Sequence, residues 1–179
     1  MAGAKWVVVA SVALGAATAG WGQAPQVVKA RMVLATSAAH PGATAKAAVV
    51  AEIADGYHIN DHKPTLDYLI PTEVVFDPSK EISTEKVDYP KGQLERFTFA
   101  DESLSVYQGT LTVGVVLKVA PIAAAGDYAL KGKLRYQACN DHACLPPTSV
   151  PVELTVKVVG ASVRLKPENA DVFSKIKFQ

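Results

Sequence analysis

Few residues in this chain are abundant enough to declare a function. Among its 179 residues there are two cysteines and four histidines, aromatic residues make up 7 %, and the formal net charge is +1. So small a charge provides no long-range field to select nucleic acid or an acidic surface as a partner. There is no Ser-His-Asp arrangement, glycine-rich phosphate loop or pair of carboxylates at motif spacing, so hydrolytic and nucleotide chemistry are not expected, nor is a small-molecule substrate or a bound cofactor. The two cysteines are spaced C-x4-C, and no C-x-x-C motif is present to complete a zinc site.

Long apolar runs are also missing, except at the start. MAGAKWVVVASVALGAATAGWGQA has one lysine, then an apolar stretch from Trp6 to Ala19 that is short for a bilayer, then small residues. This reads as a secretory leader over residues 1–24. Ala17-Thr18-Ala19 offers a cleavage site before Gly20, and Gly22-Gln23-Ala24 offers a second, weakened by Pro25. An uncleaved membrane anchor is the other reading of the same stretch. Either way the rest is placed outside the cytoplasm, where cysteine pairs oxidise and persist.

After the leader, alternation dominates. Val28, Ala30, Met32 and Leu34, and later Leu111, Val113, Val115 and Leu117, recur at every second position, as half-buried strands require. The same pattern marks residues 47–53, 72–76, 82–89, 128–136 and 152–158, with Pro, Gly and Asp between the runs. About seven strands without intervening amphipathic helices predict an all-β, immunoglobulin-like antiparallel sandwich over residues 25–160. In the tail, residues 161–179, Val172, Phe173 and Ile176 fall at helical spacing behind Asn169 as a candidate cap, predicting a short helix packed on the sandwich.

Both cysteines lie in YQACNDHACLPPTSV, Tyr136 to Val150, between two strand patterns and therefore in a connecting loop at one end of the sandwich. Three roles compete. As a structural staple, so short a loop removes little unfolded-state entropy, about 2 kcal/mol. As metal ligands, Cys139, His142 and Cys144 leave the fourth position empty unless His40, His58 or His62 is recruited by folding, so no metal is expected. As a redox pair, an exposed disulfide closing a small ring is open to attack by a partner thiolate. Pro146-Pro147 leaves no helix to lower a thiolate pKa as in a thioredoxin site, so the pair should exchange with a dedicated partner rather than act alone.

These residues resemble the active-site region of the N-terminal periplasmic domain of the thiol:disulfide interchange protein DsbD. A second stretch, DGYHINDHKPTLDYLIPTEVVF from Asp55 to Phe76, is similar to that family's Gly-aromatic-His-Ile-Asn segment and the Leu-Ile-Pro-Thr that leads into a strand. The likeness runs from about Val27 to Val159. It implies a cysteine pair that takes electrons from a membrane-embedded channel or a thioredoxin-like domain and passes them to thioredoxin-fold periplasmic proteins for disulfide isomerisation and cytochrome c maturation. It also implies that Cys144 bonds the partner and that Cys139 resolves the mixed disulfide.

The spacer between the cysteines is one residue shorter than in the best-known members. Those members cover the pair with a loop carrying an aromatic cap; the matching stretch here, FADESLSVYQG, has Leu104 where the aromatic is sought. The chain ends at Gln179 without a channel or thioredoxin domain, so any donor is expected to act in trans.

Several neighbours have two readings. Tyr57, His58 and Asn60 lie near the cysteines in the resembling family, where His58 and Asn60 would tune thiolate charge or hydrogen-bond the loop; alternatively they form a turn with His58 half-exposed. His142 could stabilise a thiolate, or point to solvent. Asp101 and Glu102 could take a thiol proton, or serve solubility alone. Tyr136, Phe97, Phe99 and Tyr107 read as core or rim. Two functions follow: a thiol-disulfide exchange domain, or a non-catalytic periplasmic binding or assembly module with a locked disulfide.

Overall fold

The computed structural model describes residues 26–178, so the expected leader lies outside the described residues. The seven anticipated strands are all present. In chain order the elements begin with β1 (Val28–Leu34), β2 (Thr44–Ile53), β3 (His58–Asn60), β4 (Glu73–Phe76), β5 (Ile82–Asp88) and β6 (Gln93–Glu95). They continue with β7 (Leu104–Tyr107), β8 (Thr110–Val119), β9 (Gly126–Tyr136), β10 (Ala138–Cys139), β11 (Thr148–Val158) and α1 (Ala170–Phe173).

Two antiparallel sheets, in the orders β1-β2-β8-β5 and β11-β9-β4, form the immunoglobulin-like sandwich. Alternation decides which side chains meet between them. β11 buries Val150, Val152, Leu154, Val156 and Val158 and exposes every residue between. These join Leu130 and Leu134 of β9 against Val49, Val113, Val115 and Leu117 of the facing sheet in one core. Pro151 is tolerated because β11 is an edge strand whose ladder partner at this position is β9 alone. Among the described residues, no helix is long and apolar enough to cross a membrane.

A third, four-stranded sheet, β10-β3-β7-β6, sits at one end. It is the continuation of both main sheets. β3 follows β2 after the Ala54–Tyr57 turn, β7 runs into β8 through Gly109, and β10 prolongs β9 past Gln137. Gly109 has φ 63°, a left-handed conformation that costs glycine little, and its carbonyl accepts from the Ile53 amide at 2.7 Å.

The C-terminal segment covers the outer face of the β1-β2-β8-β5 sheet. Val172, with Phe173 and Ile176, packs on Ala48 and Val50, as the helical spacing predicts. The cap differs from expectation. Asn169 occupies the N-cap with φ 52° and makes no side-chain cap bond; its Nδ2 instead donates to the Leu34 carbonyl at 2.9 Å, fastening the tail to β1.

Candidate functional site

The cysteines are not in an open loop. Cys139 ends β10, and Cys144 faces it as an antiparallel bridge, so the two close a tight hairpin with Asp141 and His142 at its tip. Local sequence dictates the turn. The Asn140 side-chain carbonyl accepts from the amides of His142 and Ala143, both at 2.9 Å, and the Asn140 amide donates to the Ala143 carbonyl at 3.0 Å. Leu145 donates to the Ala138 carbonyl at 2.8 Å, after which Pro146 and Pro147 offer no further amide hydrogens. Gln137 Nε2 reaches the Leu145 carbonyl at 3.2 Å instead.

The two residues stand at a non-hydrogen-bonded position of this ladder, where cross-strand side chains approach most closely, and their Cα atoms are 3.9 Å apart. Cys139 and Cys144 are joined as a disulfide. Their environments differ sharply: Cys139 is 2 % exposed, whereas Cys144 is exposed.

The register of the small sheet explains what surrounds Cys139. Ala138 pairs with Ile59, and both turn into the main core. Cys139 pairs with His58, so by strand alternation these two share the opposite face. That face has its own cluster of Phe97, Leu104 and Val106, against which Leu66, Leu69 and Ala100 pack. The Phe97 ring stacks on His58 with centroids 4.1 Å apart and planes 22° apart, and Phe99 stacks on Phe97 at 5.3 Å.

His58 is thus buried at 3 % exposure, not half-exposed in a turn. Burial lowers its pKa below the ordinary 6.5, opposed by the nearby Asp141 carboxylate, so the ring is neutral at pH 7. Its Nε2 is buried without a hydrogen-bond partner. Asn60 is buried too, but it fastens a different loop from the one carrying the cysteines. Its Nδ2 donates to the Ile70 carbonyl at 2.9 Å, and its carbonyl accepts from Thr72 Oγ1 at 2.6 Å, closing the excursion 61–72 that carries Leu66 and Leu69 to Phe97. Tyr57 is half-buried against the main core.

Leu104 is buried in β7 in one cluster with Phe97 and Val106. Phe99, which opens the stretch FADESLSVYQG, is 47 % exposed and stacks on Phe97 just before it. Asp101 and Glu102 are exposed in a bend, and among the described residues no hydrogen bond or ion pair ties them to the hairpin. His142 is exposed at the hairpin tip.

A second polar group was hidden in the same motif. Asp61 Oδ1 accepts from the Tyr107 hydroxyl at 2.5 Å and the Lys63 amide at 3.2 Å, while Oδ2 accepts from Ser105 Oγ at 2.6 Å and the Gly92 amide at 3.1 Å. Burial acts to raise the Asp61 pKa, but these donors outweigh it and hold the carboxyl below its usual value. His62 stacks on Tyr89 at 3.7 Å beside this network. A cleft of about 560 Å³ opens there, lined by Asp61, His62, Tyr89 and Lys91, but neither cysteine nor His58 lines it, and Asp61 already accepts four hydrogen bonds.

The family model for the N-terminal region of the thiol:disulfide interchange protein DsbD matches residues 24–155. The chain belongs to this family. The N-terminal periplasmic domain of ScsB from Proteus mirabilis is similar at TM-score 0.51 and 15 % identity, with 75 % of this chain and 49 % of that one covered. The reduced DsbD N-terminal domain of Neisseria meningitidis is similar at 22 % identity and TM-score 0.42, covering 70 % of this chain and 86 % of that one. A Neisseria meningitidis complex of the DsbD and PilB N-terminal domains is similar at 20 % identity and TM-score 0.39, over 68 % and 80 % of the respective chains. A search of curated proteins finds no match. The disulfide and the DsbD N-terminal family fit thiol-disulfide exchange.

Proposed function

We propose that this is an exported, periplasmic thiol-disulfide exchange domain in which Cys139 and Cys144 relay two electrons to a thioredoxin-fold partner. Supply comes from a membrane electron channel. The observation that carries the reading is the asymmetry of the pair: Cys144 is an exposed residue and Cys139 is a buried one. A partner can meet only Cys144 at the outset.

In the reducing direction, the Cys144 thiolate attacks the partner disulfide, forming a mixed disulfide and releasing one partner thiolate. Cys139 then attacks Cys144 Sγ, the bond from Cys144 to the partner breaks, and the second partner sulfur leaves as a thiolate. The domain ends oxidised by two electrons and the partner reduced by two. The mixed-domain complex with PilB is a precedent for a DsbD N-terminal domain docking on another domain.

Trapping tests this reading. Cys139→Ser should accumulate a covalent adduct with an oxidised thioredoxin-fold protein, and Cys144→Ser should not. Adducts from neither variant, or from Cys144→Ser alone, would contradict the proposal. Because Cys139 is built into a buried ladder, a locked disulfide in a non-catalytic binding module is the second reading; it predicts no adduct from either variant.

A further inference from the structure

His58, Cys139 and Cys144 form one cross-strand row: Cys139 pairs with His58 on one side and bridges to Cys144 on the other. Side chains directly opposite in such a row share a face and have Cβ atoms about 5 Å apart. His58 presents a neutral imidazole in that row, enclosed by Phe97, with a ring nitrogen that lacks any partner in the disulfide form.

An unpaired polar atom in a buried place costs free energy and calls for an explanation. Reduction supplies one. When the disulfide opens, Cys139 becomes a thiol in an apolar setting, where burial disfavours the thiolate it must become in order to resolve a mixed disulfide. A base within the same enclosure removes that obstacle.

We infer that His58 is the proton acceptor for Cys139. In the dithiol form the Cys139 S–H donates to Nε2 of His58. As Cys139 attacks Cys144 Sγ, that proton passes to the imidazole, the bond from Cys144 to the partner sulfur breaks, and the proton then leaves to the departing partner thiolate or to water. In the reverse direction the imidazolium returns the proton to the Cys139 sulfur as the disulfide is cleaved. Asp141, at the hairpin tip, is the charged group acting on the ring and favours its transient protonation. Tyr57 and Asn60, the neighbours in the same segment, have no part in the transfer.

The inference rests on the exchange function proposed above, and it can fail independently. Reduced chain reacted with an aromatic disulfide that releases a coloured thiolate gives two phases: attack by Cys144, then resolution by Cys139. His58→Phe, which keeps an aromatic ring for the Phe97 stack, and His58→Gln, which keeps a hydrogen-bonding side chain but no base, should leave the first phase unchanged. Both should slow the second about a hundredfold at neutral pH. The pH profile of the second phase should lose its histidine inflection and climb with thiol ionisation alone.

A second phase of unchanged rate and pH profile in both variants would overturn the role of His58 while leaving exchange intact. Absence of both phases in the unaltered chain would overturn exchange and His58 together. A measurement that needs no variant is the ¹⁵N shift of the His58 ring. Nε2 should move on reduction of the disulfide, and a shift identical in the two states would contradict the hydrogen bond from Cys139.

Discussion

Tyr107 donates a 2.5 Å hydrogen bond to Oδ1 of Asp61, and the same hydroxyl lies 3.0 Å from the Pro90 carbonyl and accepts from the His62 amide at 3.3 Å. One side chain of β7 thus fixes the start of the 61–72 excursion and the approach to β6, the two segments that deliver Leu66, Leu69 and Phe97 to His58. Tyr107→Phe removes that hydroxyl and leaves a buried carboxylate short of a donor. The expected cost is about 1–3 kcal/mol in urea unfolding, with the sandwich retained. A change inside 0.5 kcal/mol, on the order of a neutral surface substitution, would show that Asp61 does not depend on Tyr107.

Stability should fall in two separate acid steps. The His58 pKa is lowered in the fold, so below 6.5 the unfolded chain binds the extra proton first and stability declines until the folded value is passed. Asp61 acts lower: its folded pKa is below 3.8, so its contribution is complete above 3.8 and disappears as pH falls through the folded value. His58→Phe should abolish the upper step and spare the lower. Unfolding curves recorded across the range check both, and an upper step unchanged in His58→Phe would refute the assignment.

The unequal burial of the cysteines predicts unequal alkylation. In the reduced chain, iodoacetamide should modify Cys144 at least tenfold faster than Cys139, because only Cys144 is accessible and burial disfavours the Cys139 thiolate. Peptide mapping by mass spectrometry at short reaction times reads the ratio. Equal rates would mean that the hairpin opens on reduction.

Gly114 marks where the tail seats. A Cβ there would lie 2.7 Å from Ile176 Cγ2 and 3.1 Å from Phe178 Cε1, closer than packed side chains allow. Gly114→Val should lift the segment after α1 off the outer sheet face, at a cost of about 1–3 kcal/mol, and speed hydrogen exchange there. The cysteine hairpin is at the end of the sandwich, so its exchange chemistry should be unaffected. Unchanged protection of the tail would contradict this packing.

The strands of the β11-β9-β4 sheet were legible because they alternate: from Ser149 on, β11 exposes and buries residue by residue, and its mate β9 follows suit from Asp127 on. The central strands β2 and β8 instead carry apolar runs, with Ala47–Ala51 and Val113–Val115 buried throughout. The site sheet was not. β3, β6, β7 and β10 have four residues or fewer, too short for a period to emerge, and β3 is buried at all three positions. Cys139 therefore read as loop although it pairs with His58. Phe97 read as core or rim because nothing in the sequence says that its ring meets a histidine 39 positions away in the chain. Leu104 was sought as the cap position by likeness to relatives, and the structure puts the aromatic rings at Phe97 and Phe99. Asn140 could have been found: Asn-Asp between two strand signals is a turn signature, and its side chain shapes the hairpin. Asp61 had little signal, since three of its four donors, on Gly92, Ser105 and Tyr107, come from distant positions that only the fold collects, and the Lys63 amide alone is local.

The equilibrium reduction potential of the Cys139–Cys144 pair tests the central claim most directly, by redox titration with thiol counting. The account predicts a value between about −270 and −200 mV, within reach of thioredoxin-like and glutaredoxin-like dithiols, so that electrons can pass in and out. A value below about −300 mV would mark a structural disulfide, and the exchange function would be wrong.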